Sequence, residues 1–161
     1  MIVSERLSEY IKALECDLPE YLDELEQRAL ADEVPVIRKE AQSLLRFLLC
    51  LLKPDKILEV GCAVGFSSAF MSEYMPENCT ITTIEKVEMR IREAKKNLAA
   101  IPRAEQVTLL CGDANEVLKD LADKGESYPF IFMDAAKGQY MNFLPHLMEL
   151  LPEGGILITD N

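Results

Sequence analysis

Apolar residues recur at helical spacing through the first part of the chain. They predict three helices, over residues 7–14, 21–30 and 44–52. Prolines at positions 19 and 35 separate these patterns, since the residue before a proline disfavours the α conformation. Residues 1–53 are therefore predicted to form a helical segment.

From residue 54 onwards, short apolar runs typical of strands alternate with longer helical patterns. The predicted strands are residues 56–60, 80–84, 107–111, 130–133 and 155–159. The predicted helices between them are residues 67–75, 87–100, 114–124 and 140–151. This alternation predicts an α/β fold with a doubly wound parallel sheet. No linker or repeat divides the chain, so residues 1–161 are predicted to form a single domain with its α/β core at 54–161.

Composition narrows the class of protein. The chain has 161 residues, of which 49% are hydrophobic and 28% charged, as expected of a globular domain with one core. No apolar stretch is long enough to span a bilayer and the N-terminus does not resemble a secretory signal, so we expect a cytoplasmic protein without a membrane partner. The net charge of -11 disfavours wide, sequence-independent binding to nucleic acid.

Three further polar features have ordinary structural interpretations. The five cysteines are odd in number and widely spaced, which indicates free thiols in or near the core rather than disulfides or a metal site. His146, the sole histidine, lies in an apolar helical pattern and is predicted to be structural. The acidic stretch 20–26 is predicted to be a solvated helix face.

A glycine turn follows the first predicted strand. The stretch from Glu59 through Gly61 to Gly65 leads from strand to helix, and ligands of such sheets bind beyond the carboxyl ends of the strands. The G-x-x-x-G spacing does not match the G-x-G-x-x-G turn of a dinucleotide site, which disfavours a nucleotide-linked oxidoreductase. Glu59 suits a cationic ligand such as S-adenosylmethionine. The alternative is an ordinary tight turn between strand and helix.

Acidic residues follow the other strands. Glu85 ends the second strand, where it either accepts from ribose hydroxyls or is simply solvated. Asp113 follows the third strand and can cap the next helix or contact adenine. Asp134 follows the fourth strand, and Asp160 and Asn161 follow the fifth. Their oxygen atoms suit Mg²⁺, Ca²⁺ or Mn²⁺, and the alternative is helix capping by Asp134 beside a polar chain end.

Taken together, these motifs resemble those of a known family. They are residues 34–37 (VPVI), 57–61 (ILEVG), 65–67 (GFS), 82–85 (TTIE), 134–140 (DAAKGQY) and 159–161 (TDN). From residue 34 to 161 the chain resembles bacterial members of the metal-dependent O-methyltransferase family, which includes caffeoyl-coenzyme A and catechol O-methyltransferases. The DAAKGQY variant is most similar to the branch that contains tRNA 5-hydroxyuridine methyltransferases. The resemblance implies a Rossmann-like class I S-adenosylmethionine methyltransferase fold.

The resemblance also implies roles for individual residues. S-adenosylmethionine would be bound by Val36, Glu59, Gly61, Ser67, Glu85, Asp113, Ala114 and Asp134. A divalent cation, Mg²⁺ or else Ca²⁺ or Mn²⁺, would be held by Asp134, Asp160 and Asn161. Lys137 and Asp134 would be catalytic, with Lys137 beside the substrate hydroxyl. The implied reaction is methyl transfer to an acidic hydroxyl of a small phenolic or catechol-like acceptor, or of hydroxyuridine in tRNA, by a homodimer.

Two departures from the family pattern lead to further expectations. Ala63 stands where broader methyltransferase patterns have a middle glycine, a change that the family tolerates. Relatives continue beyond the equivalent of Asn161 to form the last two strands of a seven-stranded sheet. We therefore expect this chain to be truncated, with those two strands missing, an unpaired edge on its fifth strand and impaired methyl transfer. The alternative function is a non-catalytic module that binds the cofactor or self-associates.

Overall fold

The computed structural model describes Tyr10 and residues 17–160. Two of the three predicted N-terminal helices are confirmed, as α1 (Glu20–Ala31) and α2 (Lys39–Leu52). The first predicted helix, over residues 7–14, lies outside the described residues except for Tyr10. The acidic face predicted for residues 20–26 needs a correction at Glu26, which is buried against α2.

The alternation of strands and helices is confirmed nearly to the residue. The strands are β1 (Lys56–Val60), β2 (Thr80–Glu85), β3 (Val107–Cys111), β4 (Phe130–Met133) and β5 (Ile156–Thr159). The helices between them are α3 (Phe66–Tyr74), α4 (Glu88–Ala99), α5 (Ala114–Asp123) and α6 (Tyr140–Leu150). Short 3₁₀ turns at Ala104–Gln106 and Lys137–Gln139 precede β3 and α6.

The sheet has five strands in the order β3-β2-β1-β4-β5, and all four pairings are parallel. From β1 the chain adds β2 and β3 on one side of the sheet, and it then returns to add β4 and β5 on the other side of β1. With right-handed crossovers, the direction in which strands are added therefore reverses between β1 and β4. A crevice opens at such a point, outside the carboxyl ends of the strands. The predicted doubly wound α/β fold is confirmed.

Strand residues alternate between two apolar layers. Ile57 and Phe132 face one layer, which contains α1 to α4. Leu58 and Ile131 face the other layer, which contains α5 and α6. Both layers exclude solvent from β1 and β4, which explains why these strands are near-continuous apolar runs. The two described N-terminal helices thus share the core of the sheet.

The sequence also predicted free cysteine thiols, a structural His146 and no membrane-spanning helix. The four cysteines within the described residues are free thiols, as predicted. Cys62 and Cys79 are buried in the core, but the predicted core location is wrong for Cys50 and Cys111, which are exposed. His146 is partly buried on α6, outside the cavity wall described below. No helix in residues 17–160 has the length and apolar character needed to cross a membrane.

Candidate cofactor site at the carboxyl ends of the strands

A cavity of about 500 Å³ lies at the carboxyl ends of β1, β2, β3 and β4. Its volume is within the range of about 300–1,000 Å³ that small-molecule sites occupy. The turn after β1 forms the floor, and residues 35–38, which join α1 to α2, form one wall. The structure therefore brings together segments that are far apart in the sequence.

Most of the residues predicted to bind the cofactor line this cavity. Those in its wall are Val36, Gly61, Ser67, Glu85, Asp113, Ala114 and Asp134. Asp160, predicted as a metal ligand, lines it as well. Arg90 on α4 and Phe143 on α6 also belong to the wall. The sequence analysis did not identify Arg90 as a site residue, and it placed Phe143 only on an apolar helix face. Helical spacing shows which face is apolar, but not which of its residues reaches a cavity.

Gly61 occupies a position that no other residue fits. Its φ of +104° lies in the left-handed region, and a Cβ there would stand 1.9 Å from the Asp134 carbonyl oxygen. The turn after β1 therefore packs directly against the backbone at the end of β4. The Asp134 N–H also donates to the Val60 carbonyl, which fixes Asp134 relative to this turn.

Glu85 is the most firmly held acidic side chain of the wall. It is only 6% exposed, and one carboxylate oxygen accepts from the Ala63 N–H at 2.8 Å. The other oxygen accepts from the N–H groups of Lys86 and Val87, each at 2.9 Å. Ala63 reaches this geometry with a φ of +47°, in the left-handed region. The carboxylate of Glu85 is thus oriented before any ligand binds.

Asp113 caps helix α5, as one of its two interpretations predicted. Its side chain accepts from the Asn115 N–H at 3.0 Å, and Lys86 Nζ lies 3.4 Å away. The backbone hydrogen bond from Asn115 is the main cause that lowers the pKa of Asp113, and Lys86 adds to it. The adenine contact, which does not compete with capping, stays a prediction.

Glu59 is the one predicted cofactor-binding residue whose side chain is not part of the cavity wall. It is fully buried beneath the turn, where one carboxylate oxygen accepts from the hydroxyls of Ser68 and Thr83. The other oxygen has no hydrogen-bond partner among the described residues. Burial raises the pKa of Glu59. The alternation along β1 places residue 59 on the same face as Ile57, under α3, and contact between Glu59 and the cofactor stays a prediction.

Asp134 and Asp160 directly follow the adjacent strands β4 and β5, and both line the cavity. Desolvation and then repulsion from Asp160 raise the pKa of Asp134, and the charge of Lys137 opposes this change. The Tyr140 hydroxyl donates to the Asp160 carbonyl at 2.5 Å, and the Asp160 N–H donates to the Met133 carbonyl. Lys137 itself is exposed and is not part of the cavity wall. The two acidic residues predicted to ligate a metal are therefore neighbours.

The third predicted ligand, Asn161, lies outside the described residues. Within residues 17–160 no group of three or more His, Cys, Asp or Glu side chains is arranged to hold a metal ion. The described part of the site thus provides two carboxylates and no complete ligand set.

Comparison with known proteins assigns the family. The profile of the O-methyltransferase family matches residues 12–161. The chain belongs to this O-methyltransferase family. It is 36% identical over 128 residues to a caffeoyl-CoA O-methyltransferase of Stellaria longipes, an alignment that covers 75% of this chain and 52% of that protein. It is 29% identical over 118 residues to a catechol O-methyltransferase of Niastella koreensis, covering 73% of this chain and 53% of that protein.

A solved structure of another O-methyltransferase supports the fold. The O-methyltransferase TomG from Streptomyces achromogenes, determined in complex with S-adenosylmethionine, superposes with a TM-score of 0.86 at 25% identity. The superposition covers 100% of this chain and 75% of TomG. The chain spans about half the length of the curated relatives it matches. The family resemblance inferred from the sequence motifs is confirmed.

Proposed function

We propose that the cavity binds S-adenosylmethionine and that the protein transfers its methyl group to a hydroxyl of a catechol-like acceptor, with a divalent cation held at Asp134, Asp160 and Asn161. The observation that carries the proposal is the fixed carboxylate of Glu85 in the wall of a cavity at the strand ends. An acidic side chain after the second strand of such a sheet is placed to accept from ribose hydroxyls. The S-adenosylmethionine bound in TomG supports the same interpretation.

The residues present fit a cofactor with a positive charge and a ribose. Glu85 offers oriented acceptor oxygens, and Ser67 presents a hydroxyl at the start of α3. Val36 and Phe143 provide apolar contact on two other sides of the cavity. A small-molecule site typically combines such an apolar lining with a few oriented polar groups.

The acidic pair at the end of the sheet fits a hard cation. Asp134 and Asp160 repel each other across the ends of β4 and β5, and a cation between them would relieve that repulsion. Oxygen donors of this kind suit Mg²⁺, Ca²⁺ or Mn²⁺. We propose Asn161 as the third ligand on the strength of the sequence motif alone.

Methyl transfer to oxygen requires alignment and a deprotonated acceptor. S-adenosylmethionine supplies a methyl group on a sulfonium sulfur, and a divalent cation would lower the pKa of the acceptor hydroxyl. Asp134 and Asp160 would hold the cation at the cavity, next to an acceptor bound there. Lys137, whose charge already acts on Asp134, would favour the anionic form of the acceptor hydroxyl once its proton has left to solvent. The acceptor oxygen then takes the methyl group as the bond from sulfur to carbon breaks, which leaves neutral S-adenosylhomocysteine.

The direct test is an assay of S-adenosylhomocysteine formation by the purified chain, with a catechol as acceptor and with Mg²⁺ or a chelator. Turnover that requires Mg²⁺ and is lost in Asp134→Asn supports the proposal. A parallel arm with tRNA containing hydroxyuridine distinguishes the second acceptor class. Cofactor binding without turnover on either acceptor would contradict the enzymatic part and favour the non-catalytic module. Localisation in the cytoplasm and assembly as a homodimer stay predictions of the sequence.

A further inference from the structure

A buried polar network joins helices α1 and α2. Glu26 is 5% exposed, and its two carboxylate oxygens accept from Gln42 Nε2 and Lys39 Nζ, each at 2.7 Å. Lys39 is partly exposed at the side chain, so water reaches the ammonium end of the network. Charged groups in an apolar core are costly unless they are paired and fully hydrogen-bonded. The network therefore satisfies a buried acid at the point where the two helices meet.

Gln42 also holds the backbone that precedes α2. Its Nε2 group donates to the Ile37 carbonyl oxygen at 3.0 Å, and Gln42 itself is only 3% exposed. Glu26 and Ile37 thus use the two amide protons of one side chain. This arrangement couples the position of Ile37 to the packing of α1 against α2.

Ile37 lies within the wall of the proposed cofactor cavity. Residues 35–38 all line the cavity, yet they belong to no helix or strand. Backbone hydrogen bonds hold the two ends of the connection, from the Val34 N–H to the Ala29 carbonyl and from the Gln42 N–H to the Arg38 carbonyl. Between these ends, the side chain of Gln42 supplies the hydrogen bond to the Ile37 carbonyl.

We infer that Gln42, oriented by Glu26, is a positioning residue that fixes residues 35–38 as one wall of the cofactor cavity and thereby sets the affinity for S-adenosylmethionine. The inference rests on the proposed function for the identity of the ligand. Neither side chain belongs to the cavity wall, so the effect passes through the Ile37 backbone. A wall that is ordered before binding loses less conformational freedom when the ligand arrives.

The test separates positioning from stability with a double variant, Glu26→Met together with Gln42→Met. Replacing buried ion-pair members by apolar side chains of similar volume is often neutral or stabilising, and the remaining Lys39 ammonium reaches water, so this variant is expected to fold. It leaves the Ile37 carbonyl without its side-chain donor. Loss of one such hydrogen bond predicts a dissociation constant for S-adenosylmethionine raised about fivefold, measured by calorimetry. Amide hydrogen exchange in residues 36–38 of the ligand-free protein is expected to accelerate as well.

Two further variants complete the comparison. Leu22→Val removes a methylene group from the same helix layer and leaves the network intact, so it is expected to lower stability without changing affinity or exchange. Glu26→Gln keeps an acceptor for Gln42 and is expected to retain the affinity of the unmodified chain.

The outcomes are distinguishable from those of the proposed function. An affinity and an exchange rate in the double variant that both stay within about twofold of the unmodified chain would overturn the inference. If the unmodified chain binds no S-adenosylmethionine, the proposed function fails, and exchange in residues 36–38 then decides whether Gln42 fixes the wall.

Discussion

Replacing Gly61 with alanine tests how the cavity floor is built. The new Cβ would stand 1.9 Å from the Asp134 carbonyl oxygen, 2.8 Å from the Asp134 carbonyl carbon and 3.3 Å from the Ala135 Cα. All three are backbone atoms, so no side-chain rotation relieves the overlap. The end of β4 must move away from the turn, and Asp134 moves with it.

The expected cost has two parts. A Cβ in the left-handed region costs about 1–2 kcal/mol. Overlap in a packed interior adds about 1–3 kcal/mol. We therefore expect Gly61→Ala to lower the free energy of unfolding by about 2–5 kcal/mol, a large share of the roughly 5–15 kcal/mol that stabilises a typical domain. Affinity for S-adenosylmethionine should fall as well, because the floor and Asp134 shift together.

Gly125 provides a matched control. It has a φ of +71°, and an added Cβ would meet nothing within 4 Å. Gly125→Ala therefore carries the conformational cost without the overlap, and we expect a loss of about 1–2 kcal/mol with unchanged affinity. Urea unfolding measures the free energy of unfolding of both variants. It is followed by far-ultraviolet circular dichroism, because the chain contains no tryptophan for fluorescence. A loss at Gly61 no larger than that at Gly125 would refute the close backbone contact between turn and β4.

Three other substitutions probe the groups around the cavity. Burial raises the pKa of Glu59 above its ordinary 4.5, so the stability that protonated Glu59 contributes is lost as the pH rises from 4.5 through the pKa of the folded state. Glu59→Gln should flatten this part of the curve of unfolding free energy against pH, measured by urea unfolding at several pH values. Asp113→Ala should lower the free energy of unfolding by about 1 kcal/mol, because the α5 cap is lost. Since the pKa of Asp113 is lowered in the folded chain, the difference in unfolding free energy between the variant and the unmodified chain should shrink as the pH falls below 3.8. Ala63→Gly should raise the free energy of unfolding, measured by thermal denaturation, by about 0.5–1 kcal/mol, because relief of the left-handed φ outweighs the added entropy of the unfolded chain. A destabilised variant would show that the backbone at Ala63 is not strained.

The positions of the strands could be predicted from the sequence because the central strands are short, almost entirely apolar runs. β1 and β4 are buried on both faces, so their apolar runs begin and end where the strands do. Acidic residues were predicted at the ends of β2, β3, β4 and β5, and because parallel strands end together, the cavity wall contains one from each. The end of each apolar run was sufficient to find them.

Other features depend on packing that a linear pattern does not contain. Glu59 precedes the glycine turn by two residues, but only the path of the folded chain shows that α3 and the turn cover it. Glu26 lies in an acidic stretch that is typical of a solvated face, yet α2 brings Gln42 and Lys39 against it. In both cases the partner lies on another element, and the sequence holds no local signal for the contact.

Calorimetric titration of the chain with S-adenosylmethionine, with and without Mg²⁺, tests whether the cavity binds this cofactor. We expect saturable binding at one site with a dissociation constant in the micromolar range, weakened when Glu85 is replaced by alanine. Absence of binding by a chain whose circular dichroism shows it to be folded would contradict the assignment of the cavity to this cofactor.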